Sequence, residues 1–384
     1  MELTKCKLGE LITQRREKND GSDLPICGVS KDGLIPPKQK DADTSIYNVF
    51  YRDDFIFNPA RMELNSIAIN DMYDRAICSS LYEVFYVHRT DLLLPHYLKL
   101  IIRQKWFTRY CEFLGQGSAR EYCRFGNISE IEIEFPPIKE QQKIVEYNTA
   151  IENRIALKQK INDNLVAVGT ASIQKNVGRG ALINLTEAEM DSLIFPEDFK
   201  IKTVSEFCAE TKSGSTPSRT NNEYWENGTI SWVKSGEVHN NITLQTEEYI
   251  TSLGLSESST KLLPKDTVLM AMYGVTAGEV GYLAIEATTN QAICGMICRS
   301  KAEAAYLYFS LIQSQAAISR LSNGGAQDNL SKNFIDNIKI VVPPSEFIEK
   351  LNLAAIVEQM TLNTKEITLL EELQATVLAQ LSSR

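Results

Sequence analysis

The sequence lays out one plan twice at a fixed spacing. Gln116-Gly117-Ser118-Ala119-Arg120 leads through Ile128, Ile131 and Ile133 to Pro136-Pro137 and then into a charged stretch; Asn323-Gly324-Gly325-Ala326-Gln327 leads through Ile335, Ile338 and Ile340 to Pro343-Pro344 and then into another. An offset of 207 superimposes Gly117 on Gly324, Ala119 on Ala326, the three isoleucines and both prolines. Nearer the start, Leu8, Glu10 and Leu11 recur as Val204, Glu206 and Phe207 at an offset of 196. A repeat this long exceeds the 20–50-residue unit of a solenoid. It is a duplicated domain with a helix attached, which suits a ligand that offers two comparable sites a fixed distance apart.

Each copy alternates strand-like runs with turns. Ser45–Tyr51 and Leu81–Val87 are rich in β-branched and aromatic residues, as are Thr229–Val233, Thr267–Met272 and Ile338–Val342 in the second copy. Ile131–Phe135 alternates strictly, as a last strand would, and the prolines after it end the sheet because proline cannot donate to the ladder. His96–Phe113 and Tyr306–Leu321 read as helices. The fold class is therefore mixed α/β: two similar domains separated by an antiparallel pair of long helices, an internal pseudo-twofold repeat. The expected boundaries are a first domain over 1–137, a long helix over 138–175, a connector over 176–195 containing Gly178 and Gly180, a second domain over 196–344, and a second long helix over 345–384.

The long helices follow from what is missing. After Pro137 no proline or glycine occurs until Gly169, and none occurs between Pro344 and the C-terminus. About 35 helical residues would span roughly 50 Å. In the second stretch Ile356, Met360, Asn363, Ile367, Leu370, Gln374, Val377 and Leu381 recur with alternating spacings of four and three, a heptad seam broken by two polar residues that can fix register. The first seam is less regular: Ile144, Ile151, Ile155 and Leu165, with Asn148, Lys158 and Asn162 among them. Packing the two seams antiparallel hides both. The alternative is two separate surface helices.

Composition sets limits. The chain has 384 residues, 43% hydrophobic and 23% charged, which suits two soluble domains. Its eight cysteines and three histidines show no metal-ligand spacing, so the cysteines read as reduced, packed thiols and no metal is expected. Charges interrupt the N-terminal segment, and no run approaches the roughly 18 apolar residues of a membrane span. These features place the chain in the cytoplasm. The net charge of −9 argues against unaided binding to nucleic acid, but the acids concentrate in the helical stretches. Basic residues gather in loops: Arg15-Arg16, Lys38, Lys40, Arg103, Lys105, Arg109, Lys212, Arg219 and Lys234.

Catalytic motifs are missing from the sequence. It has no phosphate-binding Walker loop, dinucleotide fingerprint, HExxH, or G-x-S-x-G elbow, and no Asn/Asp-Pro-Pro-aromatic turn of an adenine methyltransferase. Three segments resemble recognition surface instead. Lys212-Ser213-Gly214-Ser215-Thr216-Pro217-Ser218-Arg219, with Tyr224-Trp225 and Ile230–Lys234 after it, offers small residues with free backbone N–H groups and the charges of Lys212, Arg219 and Lys234; the tryptophans read rather as core. Tyr273 opens a glycine-rich turn with Asn290-Gln291 downstream; these amides could read an adenine edge or could be buried structural groups. The repeated glycine loops carry Arg120 and Arg124 in one copy, and Gln327, Asn329 and Lys332 in the other.

Together these residues resemble the specificity (S) subunits of type I restriction-modification enzymes, over the whole chain. Lys-Ser-Gly-x-Thr-Pro-Ser followed by Tyr-Trp and Ile-x-Trp-Val-Lys is similar to the opening of that family's target recognition domains. Tyr-Gly-x-x-x-Gly followed by Asn-Gln-Ala is similar to its middle. The first domain keeps Leu8-Gly9-Glu10-Leu11 but lacks the Thr-Pro loop and the paired tryptophans. The resemblance implies a non-catalytic reader of double-stranded DNA, each domain taking one half of a split, asymmetric target while the helix pair sets the gap. It implies two modification (methyltransferase) subunits as partners, to which restriction subunits can add. It implies no cofactor on this chain, S-adenosylmethionine being held by the partners. The implied DNA contacts are Lys212, Ser213, Thr216, Arg219, Lys234, Tyr273, Gln291, Arg120, Arg124 and Lys332. Alternatives are a specificity chain of a type IIB-like enzyme, a helical-rod protein adaptor indifferent to DNA, and an enzyme with an unrecognised carboxylate site.

Overall fold

The repeat is built as a repeated strand pairing. A computed structural model describes residues 3–31, 33–37, 43–115, 123–183, 185–186, 188–189, 192–240, 242–322 and 329–382, the side chains of 114–115, 239–240, 322 and 380–382 excepted. The chain forms two compact units, Met1–Arg154 with Leu370–Arg384, and Ile155–Leu369. The strands of the first half are β1 (Thr4–Lys7), β2 (Ile12–Arg15), β3 (Ile26–Ser30), β4 (Gly33–Ile35), β5 (Asn48–Tyr51), β6 (Phe55–Phe57), β7 (Ile67–Ile69), β8 (Arg75–Cys78), β9 (Glu83–Val87) and β10 (Glu132–Phe135). Those of the second are β11 (Ala181–Leu182), β12 (Lys200–Thr203), β13 (Glu210–Ser213), β14 (Ile230–Val233), β15 (Ile242–Thr243), β16 (Glu248–Ile250), β17 (Thr267–Ala271), β18 (Val280–Leu283), β19 (Thr288–Thr289), β20 (Ile293–Ile297) and β21 (Lys339–Val342).

Each domain is closed by its own first and last strands, β11 lying in the connector before the second domain. Antiparallel β1 pairs with β10, Thr4 opposite Phe135; antiparallel β12 pairs with β21, Lys200 opposite Val342. Those partners are related by the offsets of 196 and 207 read from the sequence. The helical turns that follow are equivalent too: Leu8 N–H donates to Ile131 O at 2.8 Å, and Val204 N–H to Ile338 O at 2.9 Å. In the second turn Thr203 Oγ1 accepts from Glu206 N–H, while Glu206 accepts from Thr203 N–H at 2.8 Å, a reciprocal cap.

The larger sheets match as well. In the first half the order is β2-β9-β6-β7, and in the second β13-β20-β17-β18-β15. Beside them lie β4-β3-β8-β5 and β16-β14-β19, where β3 runs parallel to β8 as β14 runs parallel to β19. The first core gathers Phe55, Phe57 and Phe85, with the rings of Phe55 and Phe85 stacked 5.1 Å apart. The second gathers Met270, Tyr282, Tyr306, Tyr308 and Phe309. All these large side chains are withdrawn from water, the main favourable contribution to each fold.

Two helices differ from their expected forms. His96–Phe113 was expected to be continuous; the chain instead forms Pro95–Ile102 and Lys105–Gly115. The Ile102 carbonyl released at the break accepts from the buried Asn65 amide at 2.9 Å, which satisfies it. The matching segment of the second half, Lys301–Ser322, is unbroken. The stretch expected as one helix from 345 onward is Ser345–Lys350 followed by Leu353–Ser382. Asn352, between them, sits in the left-handed region at φ 52°, which asparagine tolerates. The connector also holds an unexpected strand, β11, which pairs with β21.

The first long helix runs Ile138–Asn176 and ends on Gly178 at φ 84°, whose N–H reaches back to Ile173 O at 3.1 Å. The unit boundary falls inside both long helices. Among the seam residues Met360 is buried, and Ile144, Ile151, Ile155, Leu165, Ile356, Ile367, Leu370 and Val377 are half-buried; the Leu381 side chain lies outside the described residues. Polar seam positions meet polar seam positions. In the Ile155–Leu369 unit the buried Asn363 donates to Asn162 Oδ1 at 2.9 Å and accepts from Lys158 Nζ at 3.1 Å, and Lys158 also pairs with Glu366 at 2.8 Å. Asn162 in turn reaches Thr364 at 3.2 Å, so the helices run antiparallel there. In the other unit Gln374 Nε2 donates to Asn148 Oδ1 at 3.0 Å.

Gly169 is required by packing. A Cβ there would lie 2.3 Å from the Phe309 ring. Helix propensity favours alanine over glycine by about 1 kcal/mol, whereas overpacking costs about 1–3 kcal/mol. Gly169→Ala is therefore expected to lower stability despite the better helix former, as measured by denaturant unfolding; a stabilised variant would show that Phe309 moves aside freely.

Candidate nucleic-acid interface

Antiparallel pairing brings three separate sequence segments to one end of the second half's sheet. In β13-β20-β17, Ser213 is opposite Cys294, and Ala271 is opposite Ile293. The chain leaving β13, the chain entering β20 and the chain leaving β17 therefore emerge together. These are the Gly214–Arg219 loop, Asn290-Gln291 and Met272-Tyr273. Gly214 N–H donates to Ile293 O at 3.1 Å, and Met272 N–H to Ala292 O at 2.7 Å. Gly214 fits only because it has no side chain: a Cβ would lie 2.2 Å from Asn290 O. The fourth segment joins through Leu330 N–H, which donates to Met272 O at 2.8 Å, beside a bridge between Tyr273 and Asn329. Loops on a rigid sheet end are where binding residues commonly stand.

Thr216 Oγ1 donates to Gln291 Oε1 at 2.5 Å, both side chains reaching the surface of that end. This orients the Gln291 amide. Ser213 is exposed on the last residue of β13, and the Tyr273 ring is 41% exposed. Lys212 is half-buried and pairs with Glu210 at 2.9 Å.

Arg219 and Lys234 form a charge cluster against two tryptophans. The Arg219 guanidinium lies 3.6 Å from the Trp225 ring centre and 4.8 Å from that of Trp232, and pairs with Glu248. The rings meet edge to face 5.0 Å apart; Trp232 is buried, as expected of core, whereas Trp225 is only half-buried. Lys234 Nζ lies 2.5 Å from Glu247 and 3.3 Å from Glu248. The Glu247 carboxylate holds the Lys234 ammonium above its ordinary value, while Arg219, then Lys234, holds the Glu248 carboxyl below its own. Sequence reasoning passed over Glu247 and Glu248, because an acid near a proposed phosphate contact carries no recognisable pattern.

The other candidates separate. Lys332 Nζ donates to Asp336 at 2.5 Å and to Thr211 at 2.7 Å, and Thr211 donates to Asp336 at 2.7 Å, a closed triangle within the domain. Arg124 pairs with Glu83 at 3.3 Å in the first half. Arg120 and Gln327, with most of both glycine loops, lie outside the described residues. Among the described residues no group of three or more His, Cys, Asp or Glu side chains could hold a metal ion, and no helix is long and apolar enough to cross a membrane.

A family model described as "Type I restriction modification DNA specificity domain" matches residues 6–167 and 196–375, one match to each half. The chain belongs to this family. It is 26% identical over 200 residues to the specificity subunit of the type I restriction enzyme EcoR124I/EcoR124II from Escherichia coli, an alignment covering 51% of this chain and 46% of that one. It is 21% identical over 357 residues to the HindI specificity subunit of Haemophilus influenzae, covering 76% of this chain and 77% of that one. The crystal structure of the type I restriction-modification S subunit from M. genitalium aligns over 99% of this chain and 96% of its own, with a TM-score of 0.58 at 15% identity, and so shares the fold.

The Lys332 triangle ties the ammonium to its own domain on two sides. Replacing Asp336 with alanine removes the acceptor shared by Lys332 and Thr211, at a cost of about 1 kcal/mol because the lysine is about a third exposed and can be solvated. Asp336→Ala is expected to lower the denaturation midpoint, and Lys332→Met to leave the salt dependence of DNA binding unchanged. A flatter salt dependence in Lys332→Met would return Lys332 to the DNA surface.

Proposed function

We propose that this chain is the sequence-reading, non-catalytic subunit of a type I restriction-modification assembly. Each half reads one element of a split, asymmetric target in double-stranded DNA, and the long helices set the gap between the elements. The observation that carries the reading is the repeat itself: both halves of one chain match a DNA specificity domain and share the same closing strand pairing, at the same register. In the second half, the sheet end carrying Ser213, Thr216, Arg219, Lys234, Tyr273 and Gln291 faces the DNA. Thr216 presets the Gln291 amide, so little ordering remains when it meets a base edge.

Two modification subunits dock on the chain, supply the methyl donor S-adenosylmethionine and contribute phosphate contacts that an acidic chain lacks; restriction subunits join that core. The assembly works in the cytoplasm. Exposed apolar residues on the long helices support docking: Tyr147, Leu157 and Val168 on the first, Leu362, Leu369 and Leu373 on the second. Apolar side chains left in water on charged helices are what a partner helix covers.

Methylation mapping in cells tests the modular reading. Replacing residues 212–237 is expected to change or abolish one half of the methylated target and leave the other half unaltered; both halves changing together would sink it. Inserting about four residues, roughly one helical turn, at matching places in the paired helices is expected to lengthen the spacer while the bases read in each half stay the same. A spacer that ignores the insertion would mean that the helices do not measure it.

A further inference from the structure

The first half lacks the Thr-Pro loop and paired tryptophans, so beyond Arg120 and Arg124 of its glycine loop, motif comparison offers no DNA-facing groups there. Topology supplies them. The order β2-β9-β6 corresponds to β13-β20-β17, all antiparallel. The last residue of β2, Arg15, is opposite Val84, the second residue of β9; the last residue of β13, Ser213, is opposite Cys294, the second of β20. Phe57, ending β6, is opposite Glu83, as Ala271, ending β17, is opposite Ile293. A further tie confirms the correspondence: Cys123 N–H donates to Pro59 O just beyond β6, as Leu330 N–H, 207 residues on, donates to Met272 O just beyond β17.

At that end of the first half, four side chains form one row. Arg16 Nε donates to Gln14 Oε1 at 2.9 Å; Gln14 Nε2 donates to Glu83 Oε2 at 2.9 Å; Arg124 Nη1 lies 3.3 Å from Glu83 Oε1. The Phe125 backbone N–H also donates to Glu83 Oε2 at 2.9 Å. Glu83 is 9% exposed, whereas Arg16 and Arg124 are exposed at the two ends of the row. On the opposite face of the sheet Arg15 is fixed by the buried Asp54, at 2.6 and 3.0 Å, and lies 4.7 and 4.6 Å from the ring centres of Tyr51 and Tyr86. The arrangement presents two guanidinium groups on a braced support, with one net positive charge. Guanidinium groups suit phosphate and guanine edges.

We infer that the first half meets DNA at this sheet end, with Arg16 and Arg124 touching it and Gln14 and Glu83 positioning them. The assignment rests on the proposed DNA-reading function. The test uses the full chain co-expressed with its modification subunits, duplexes carrying the mapped target, and scrambled duplexes. Arg16→Ala and Arg124→Ala are each expected to lower the salt slope by about one for a phosphate contact, or to relax one half-site for a base contact. The half-site altered by changing residues 212–237 stays intact in both. Arg16→Lys restores a lost salt slope but not a lost base preference. Arg52, exposed in the turn at the opposite end of β6 and paired with Asp74 at 2.9 Å, is the control. Arg52→Ala is expected to change neither readout. Unfolding midpoints of all variants show that they are folded. Both arginine variants retaining the wild-type slope and half-site, or Arg52→Ala matching their loss, would overturn the assignment alone. A wild-type assembly indifferent to DNA sequence would overturn the assignment together with the function it rests on.

Discussion

Everything else in each half depends on the pairing of its first strand with its last. β1 on β10 and β12 on β21 bring residues 125 to 142 positions apart into one ladder. Closing a loop of that length is entropically unfavourable, and it sets the return point of the chain. The two prolines after β10 and β21 end the ladder, and the helical segments at Ile138 and Ser345 begin directly after them. Each recognition domain can therefore vary internally while its entrance and exit stay fixed. The sequence shows this: the constant offsets hold at the ends of the repeat and fail in the middle, where the loops differ in length.

The long helices use a second device. A purely apolar seam would bury more surface, but it would tolerate a heptad slip. In each unit a polar seam residue meets a polar seam residue: Asn162 with Asn363, Asn148 with Gln374. A slipped register would bury amides without partners, at about 1–3 kcal/mol for each unsatisfied group. Polar seam positions thus give up some stability to select one alignment. Gln141 plays a related part where the first helix leaves its domain. Buried completely, it donates to Leu92 O and Pro136 O at 2.7 and 2.8 Å and accepts from Leu94 N–H at 2.9 Å, so it fixes the direction in which the helix departs.

Architecture was more legible in the sequence than chemistry. The three isoleucines, the paired prolines and the Leu-Gly-Glu turn marked the closing strands because closure tolerates little variation. The heptad marked the seam, and Asn363 and Gln374 stood out by interrupting it. Helix breaks were not legible: the break after Ile102 depends on Asn65, distant in sequence, and the one at Asn352 on a backbone angle that several residue types avoid. In the second half the candidate segments stand out because small residues, glycine and paired tryptophans cluster there, whereas the ties of Lys332 to Asp336 and Thr211 have no pattern in the sequence. In the first half nothing clusters. Arg124 was visible through the repeated glycine loop, but Gln14 and Glu83 are brought beside it by strand register, and the spacing from β2 to β9 differs from that between β13 and β20, so no offset could reveal those two.

The acidic character of the chain has a local counterpart. Near the proposed DNA-facing ends, cations come with carboxylates attached: Arg219 and Lys234 with Glu247 and Glu248, Arg124 with Glu83. Exposed ion pairs of this kind contribute only about 0–1 kcal/mol, so they add little to stability, but they hold side chains in place and offset the charge available to any passing phosphate. Sequence-independent attraction, which scales with the number of phosphates neutralised, is kept low. On the proposed reading, binding draws on groups whose geometry is already set, such as Gln291 held by Thr216, which would reward only a matching base edge. Weak electrostatics and fixed hydrogen-bonding groups thus act in the same direction, so that a net charge of −9 is compatible with reading DNA when partner subunits supply the remaining phosphate contacts.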